Sequence, residues 1–220
     1  MRPLSEIVLP PEISSLAVDP KAPLVIVDVD EVLGLFMRGF ETFIATRGLE
    51  MRITRFALFQ SIFEPGAEEH LDVAKGRLLF DEYFASDVEH MELTPGAATA
   101  LNAFAEVASV VILTNAPPQG RDPRTRWLVR NALHFPLVIN SGPKGASVAA
   151  IAAKTTGAVA FIDDLMSNLN SVAEAAPHVR RFQLVADERL RPHAYSAPDR
   201  HPRYDDWADL QAAVLEAIRP

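Results

Sequence analysis

Continuous apolar runs alternate along the chain with segments of helical periodicity. The runs lack the polar–apolar alternation of a half-exposed strand, which predicts strands buried on both faces of a parallel sheet. Strands that alternate with helices in this way predict an α/β fold with a doubly wound, Rossmann-like parallel sheet of about five strands. The predicted strands are Leu24–Val29, Ser109–Thr114, Leu137–Asn140, Ala158–Ile162 and Val179–Val185.

A long segment without a strand follows the first of these runs. Residues 34–93 contain three apolar, aromatic-rich stripes at helical spacing, and three such helices can bury each other. We therefore expect a small helical cap inserted at residues 34–93, with an α/β core formed by residues 1–33 and 94–220. The alternative is a long crossover wrapped on the sheet. The stripes are Phe36–Ile44, Phe56–Phe63 and Leu71–Tyr83.

Composition and charge narrow the classes of function. The 220 residues include no Cys, which excludes a disulfide scaffold, a thiolate metal site and a cysteine nucleophile. The net charge of -8 repels phosphate backbones, so we expect no nucleic acid polymer as partner. Met1–Pro20 lacks a signal-peptide core, and no apolar run approaches the ~20 residues that span a bilayer. The sequence therefore predicts a cytoplasmic protein without a membrane partner.

Polar residues gather where the predicted strands end. Ligands of open α/β sheets bind at the carboxyl ends of the strands, so these positions are candidates for one site. Taken singly, each has an ordinary structural explanation as a helix cap, a turn residue or a solvated side chain. Taken together, several carboxylates in one crevice repel unless a cation lies among them, and oxygen ligands favour Mg²⁺. The residues are Asp28, Asp30, Thr114, Asn115, Lys144, Asp163 and Asp164.

The same residues resemble, in order and spacing, the four motifs of the haloacid dehalogenase (HAD) superfamily. The resemblance runs from Leu24 to about Val185, and the insert falls where the family places its first type of cap. It implies a phosphatase-type member with a small helical cap. The matching segments are Asp28–Val32 for DxDx[TV], Leu113–Asn115 for the Thr/Ser motif, Pro143–Gly145 for the Lys motif and Asp163–Asp164 for the acidic motif.

The resemblance implies an enzyme, a Mg²⁺-dependent phosphatase that hydrolyses a small phosphomonoester through an aspartyl-phosphate. Asp28 would be the nucleophile and a metal ligand. Asp30 would be the general acid and then the base, with its backbone carbonyl on the metal. In the family, dehalogenases lack an acid at this second position, so Asp30 points to phosphoryl transfer.

The other motif residues would hold the phosphoryl group and the metal. Thr114, Asn115 and Lys144 would bind the transferring phosphoryl oxygens. Asp164 is the expected direct metal ligand, because it aligns with the Asp of the family's common Gly-Asp form. Asp163 would then be a water-mediated or indirect partner, although the choice between Asp163 and Asp164 stays open.

Three alternatives remain beside the phosphatase. A phosphomutase uses the same core, and nothing in the core separates the two. A receiver-like module uses similar residues in another order, and a non-catalytic phosphate-binding protein would not keep the set intact. The physiological substrate and the oligomeric state stay open. A basic cluster, Arg121–Arg130, could bind a second anionic group of the substrate or could be a solvated helix face.

Overall fold

The computed structural model describes residues 9–219, so part of the Met1–Pro20 segment lies outside the described residues. Strands and helices alternate as the sequence predicts. The strands are β1 (Leu24–Val27), β2 (Glu50–Met51), β3 (Ile62–Phe63), β4 (Ser109–Asn115), β5 (Leu137–Asn140), β6 (Val159–Asp163), β7 (Arg180–Leu184) and β8 (Arg203–Tyr204). The helices are α1 (Glu12–Ser15), α2 (Phe36–Ala45), α3 (Val73–Ser86), α4 (Ala97–Ala105), α5 (Arg121–Arg130), α6 (Gly145–Ala152), α7 (Met166–Ala175) and α8 (Trp207–Ala217).

The central sheet has the order β5-β4-β1-β6-β7-β8, and all its neighbouring strands pair in parallel. This confirms the predicted doubly wound α/β fold. The sixth strand, β8, has two residues and is too short to show as an apolar run. Because β1 lies between β4 and β6, the residues that follow these three strands meet at one edge of the sheet.

Helices cover both faces of the sheet. Val25 and Val27 of β1 pack into one hydrophobic core with α2, α4 and α8, whereas Leu24 and Ile26 pack into another with α6 and α7. A strand buried on both faces needs apolar residues at every position, which explains the continuous run that predicted it. Within residues 9–219, none of the helices is long and apolar enough to cross a membrane.

The insert between β1 and α4 contains two helices and a two-stranded ribbon. The helices α2 and α3 confirm the first and third predicted helices. The second predicted helix, Phe56–Phe63, is wrong. A 3₁₀ turn at Phe59–Ser61 leads there into β3, which is antiparallel to β2. The backbone there bonds outside its own segment: Arg52 donates to Ser61, and Leu71 donates to Ile62. These bonds to residues outside the segment outweigh its apolar periodicity, because the segment is short.

The aromatic residues of the insert pack with one another and with the sheet domain. The ring centroids of Tyr83 and Phe84 lie 5.4 and 5.7 Å from that of Phe36. Phe84 also contacts Gly120, just before α5, where a Cβ would approach the Phe84 ring to 2.5 Å. The insert therefore packs against the face of the sheet domain that carries α5. Its division from the core as a separate cap stays a prediction.

Candidate active site

Side chains from three strand ends meet around a buried lysine. Lys144 Nζ, at the start of α6, lies 2.6 Å from Asp28 Oδ1 and 2.7 Å from Asp163 Oδ2. All three side chains are almost fully buried. Although burial lowers the pKa of Lys144, the charges of Asp163 and Asp28 raise it above its ordinary value and keep the ammonium charged. The fold thus brings together the residues that the sequence places at separate strand ends.

Three carboxylates crowd this point. Asp28, Asp163 and Asp164 each offer an oxygen atom within 4.8 Å of the others. Burial, opposed by Lys144 and reinforced by Asp28, raises the pKa of Asp163 to about 6. Burial and the charges of Asp163 and Asp28 raise the pKa of Asp164 well above its usual range. One ammonium among three carboxylates leaves excess negative charge, so these oxygens fit a hard divalent cation.

The two consecutive aspartates have different surroundings. The Asp163 carboxylate accepts hydrogen bonds from Lys144 Nζ, from Leu165 N at 2.9 Å and from Asn168 Nδ2 at 3.0 Å. Asp164 lines the cavity above the site, and its carboxylate accepts no side-chain hydrogen bond from residues 9–219. Asp164 is thus the freer oxygen donor, which favours its expected role as direct metal ligand. Asp163 is already bonded to Lys144 and to two further donors.

The two residues at the end of β4 contribute differently. Thr114 Oγ1 is buried and has no hydrogen-bond partner among the described residues. A buried hydroxyl is normally bonded, so Thr114 is available to a ligand oxygen. Asn115 lines the cavity, but its side chain donates to Gly142 O at 3.0 Å and accepts from Asn140 Nδ2 at 2.7 Å. The Asn115 side chain therefore fixes the loop that precedes Lys144.

Asp30 has a partner that the sequence analysis did not find. Arg124 Nη2 of α5 donates to Asp30 Oδ1 at 2.6 Å. The Arg124 side chain is 0% exposed, whereas that of Asp30 is 24% exposed and lines the cavity. Burial raises the pKa of Asp30 above its ordinary value, although Arg124 opposes this shift. Asp30 is thus held at the cavity with a pKa shifted in the direction that suits a general acid.

The other arginines of the basic cluster do not line the cavity. Arg121 pairs with Glu12, and Arg126 Nε lies 2.6 Å from Glu89 Oε2. Neither of the two interpretations offered for the cluster describes Arg124, which is neither solvated nor free for a second anion. One signal was available: Arg124 stands three residues before Trp127, so helical spacing places it on the buried face of α5.

Glu31 is a second functional candidate that the sequence analysis missed. It lies next to Asp30 with a backbone φ of 58° and is 4% exposed. Its Oε1 accepts from Met37 N of α2 at 2.7 Å, and its Oε2 accepts from Asp187 N at 3.2 Å. Burial is the main cause that raises the pKa of Glu31 to about 8. The side chain thus fastens the insert and the segment after β7 to the site, a role without any local sequence signal.

A cavity of about 310 Å³ opens over these residues. Its floor includes Asp28, Asp30, Lys144 and Asp164, and the insert supplies much of the opposite wall. Polar groups that converge under a concave apolar pocket are typical of a small-molecule site. The arrangement offers a buried carboxylate paired with an ammonium, a second carboxylate at the cavity and an oxygen cluster suited to a cation.

Comparison with known proteins supports a likeness of fold. No family model and no curated protein matches the chain. Solved structures do match. A HAD-superfamily hydrolase from Ehrlichia chaffeensis aligns with a TM-score of 0.54 and 15% identity, over 91% of this chain and 100% of its own.

Two further structures show the same likeness. A protein from Bacillus subtilis, provisionally named a HAD hydrolase and bound to magnesium, aligns with a TM-score of 0.56 and 12% identity, over 88% of this chain and 99% of its own. A protein from Clostridium difficile, provisionally named a phosphatase, aligns with a TM-score of 0.56 and 11% identity, over 89% of this chain and 100% of its own. These matches confirm the predicted resemblance at the level of fold.

Proposed function

We propose that this chain, which has the fold of the HAD-superfamily hydrolases, is a Mg²⁺-dependent phosphatase that hydrolyses a small phosphomonoester. The observation that carries the proposal is the contact of Lys144 with Asp28 and Asp163, beside Asp164 and under a cavity that Asp30 also lines. A nucleophile, a proton donor and a cation are the parts that phosphoryl transfer to and from a carboxylate needs.

The proposed reaction has two displacements at phosphorus. Asp28 attacks the phosphorus atom, a bond forms between its carboxylate oxygen and phosphorus, and the ester P–O bond breaks. Asp30 gives its proton to the departing oxygen, which leaves as an alcohol. Asp30 then takes a proton from a water molecule that attacks the phosphorus atom of the aspartyl-phosphate, and the bond between the Asp28 oxygen and phosphorus breaks. This second step releases inorganic phosphate and restores both carboxyl groups to their starting states.

The remaining residues would stabilise the phosphoryl group and hold the metal ion. Lys144 and Thr114 would neutralise or bond the phosphoryl oxygens, on which charge is spread in the transition state. The carboxylates of Asp28 and Asp164 and the backbone carbonyl of Asp30 would hold Mg²⁺. When bound, the cation offsets the charge of the phosphoryl group. Asp163 keeps Lys144 in place through the contact at 2.7 Å.

The proposal is tested first by a metal-dependent assay. We expect the purified chain to hydrolyse p-nitrophenyl phosphate with Mg²⁺ and to lose this activity in excess EDTA. Mg²⁺ should also raise the melting temperature, because a ligand that binds only the folded state stabilises it. Asp164→Asn should weaken both effects, while Asp199→Asn, the same change at an exposed position, should leave them intact. Full activity in excess chelator contradicts the metal assignment.

Product analysis separates hydrolysis from the phosphomutase alternative. A phosphatase releases inorganic phosphate in step with the alcohol, and the phosphoryl group goes to water. A phosphomutase returns the phosphoryl group to a second hydroxyl of a sugar phosphate and releases little phosphate. We expect equal amounts of phosphate and alcohol throughout the reaction.

Arg124 is expected to act as a positioning residue for Asp30. Replacing Arg124 by Met keeps much of the side-chain volume but removes the hydrogen bond of 2.6 Å. We expect kcat to fall by ~10²-fold, the usual cost of a small displacement at a reacting centre, with KM little changed. Arg124→Lys should recover part of the loss, because it restores a cation beside Asp30.

Substrates with different leaving groups distinguish loss of the positioning of Asp30 from a general loss of stability in Arg124→Met. The Arg124→Met loss should be larger for an alkyl phosphate than for p-nitrophenyl phosphate, whose leaving group needs no proton. A variant that is merely less stable would lose both activities in equal proportion, and that outcome would remove Arg124 from the account.

A further inference from the structure

The part of the cavity that faces away from the strand ends is apolar. The insert supplies Phe36 of α2, Leu58 between β2 and β3, and Phe80 of α3. The segment after β7 supplies Leu190. A phosphoryl group bound in the cavity beside Asp28 and Lys144 would direct its ester substituent toward these side chains. The volume of about 310 Å³ is near the lower end of small-molecule pockets (~300–1,000 Å³). The cavity thus has room for a phosphoryl group and a small substituent.

The same wall offers no partner for a second negative charge. Among the described residues that line the cavity, Lys144 is the sole lysine or arginine, and two aspartates already contact it. Two surface arginines, Arg38 and Arg189, line a separate groove and are paired. Arg38 Nη2 lies 2.6 Å from Glu188 Oε2, and Arg189 Nη2 lies 2.7 Å from Asp187 Oδ2.

A second groove adjoins the cavity and shares Phe56, Asp164 and Leu165 with it. Its side chains include Ser167, His193 and Tyr195, which offer hydrogen bonds but no permanent positive charge. A substrate whose substituent extends into this groove can therefore carry a hydroxyl group there. A second phosphate or a carboxylate would gain no fixed counter-charge there.

Burial of an unpaired anion against apolar walls is unfavourable, whereas burial of an apolar group is favourable. Building on the proposed function, we propose that the substrates are monophosphate esters of small, uncharged, largely apolar alcohols or phenols. Phosphorylated carboxylic acids, bisphosphates and nucleotides are then poor substrates.

A pair of alkyl phosphates with the same shape tests this inference. In 3-methylbutyl phosphate, two methyl groups stand where 3-phosphooxypropanoate has two carboxylate oxygens, and both compounds leave as primary alcohols. A hydrophobic pocket rejects an added hydroxyl by ~10²-fold, and a full charge should be rejected at least as strongly. We therefore expect kcat/KM to be at least ~10²-fold higher for 3-methylbutyl phosphate.

A variant with a positive charge added to the cavity wall tests the same inference in the opposite direction. Leu58 is half-buried on the insert and lies outside the proposed catalytic groups. Leu58→Arg should raise the activity on 3-phosphooxypropanoate relative to 3-methylbutyl phosphate by about tenfold or more, since a charge-assisted pair is worth ~1.5–3 kcal/mol. Leu58→Met, a change of similar length without charge, should keep the preference of the unmodified chain.

The outcomes separate this inference from the proposed function. If the chain hydrolyses neither alkyl phosphate nor p-nitrophenyl phosphate, the phosphatase proposal fails and the substrate class fails with it. If it hydrolyses them but accepts 3-phosphooxypropanoate equally well or better, the phosphatase proposal stands and the substrate class is wrong. A strong preference for the neutral ester that Leu58→Arg reduces supports the inference.

Discussion

Asp28→Asn should abolish turnover while the chain stays folded. The amide has nearly the same shape as the carboxylate, but it is a poor nucleophile, and the displacement at phosphorus has no other first step in the proposed mechanism. Removal of a nucleophile costs up to ~10⁶-fold in kcat, so p-nitrophenyl phosphate hydrolysis should fall to background. The amide oxygen can still face Lys144, which lies 2.6 Å from Asp28 Oδ1.

The control for Asp28→Asn is the same chemical change at exposed Asp199. Asp199→Asn should keep full activity, and both variants should show the circular dichroism and the cooperative melting of the unmodified chain. Mg²⁺ should still raise the melting temperature of Asp28→Asn, because Asp164 and the Asp30 carbonyl remain. Activity of Asp28→Asn close to that of the unmodified chain would place the nucleophile elsewhere.

Asp30→Asn should slow turnover in a manner that depends on the leaving group. A general acid–base residue contributes ~10²–10⁴-fold, and we expect kcat for 3-methylbutyl phosphate to fall within this range. The loss should be smaller for p-nitrophenyl phosphate in the first displacement, since its phenolate leaves without a proton. Steady-state and single-turnover rates for both substrates measure the two displacements separately.

The double variant of Asp30→Asn and Arg124→Met is the control for the proposed roles of the two residues. If Arg124 acts by holding Asp30 through the bond of 2.6 Å, Arg124→Met should have little further effect once Asp30 is Asn. A double-mutant cycle measures this coupling. Equal losses for the two substrates in the single-turnover rate of the first displacement of Asp30→Asn would contradict its role as the acid. Additive losses with Arg124→Met would contradict the positioning role.

The sheet and the strand-end residues could be predicted because the signal for each is local. A strand buried on both faces needs an unbroken apolar run, as in β1, and parallel strands bring their carboxyl ends to one edge. Asp28, Lys144 and Asp163 could therefore be expected together before their contacts were known. The two-residue β8 and the 3₁₀ turn Phe59–Ser61 could not, because long-range pairing determines them.

The residues that support the site have weak local signals or none. Arg124 is 94 positions from Asp30 in sequence, and Glu31 bonds to the backbone of Asp187, 156 positions away. A single sequence shows a run of arginines on α5 but not which one faces the core. Helical spacing from Trp127 separates Arg124 from its neighbours only once the boundaries of α5 are known.

The most direct test of the account is to trap the covalent intermediate on Asp28. The chain is mixed with p-nitrophenyl phosphate and Mg²⁺, quenched in acid within one turnover, and its intact mass and peptides are measured. The account predicts a gain of one phosphoryl group on the peptide that contains Asp28, removed by hydroxylamine and absent from Asp28→Asn. Turnover without any trapped phosphoryl group, or a phosphoryl group on another residue, would contradict the aspartyl-phosphate mechanism.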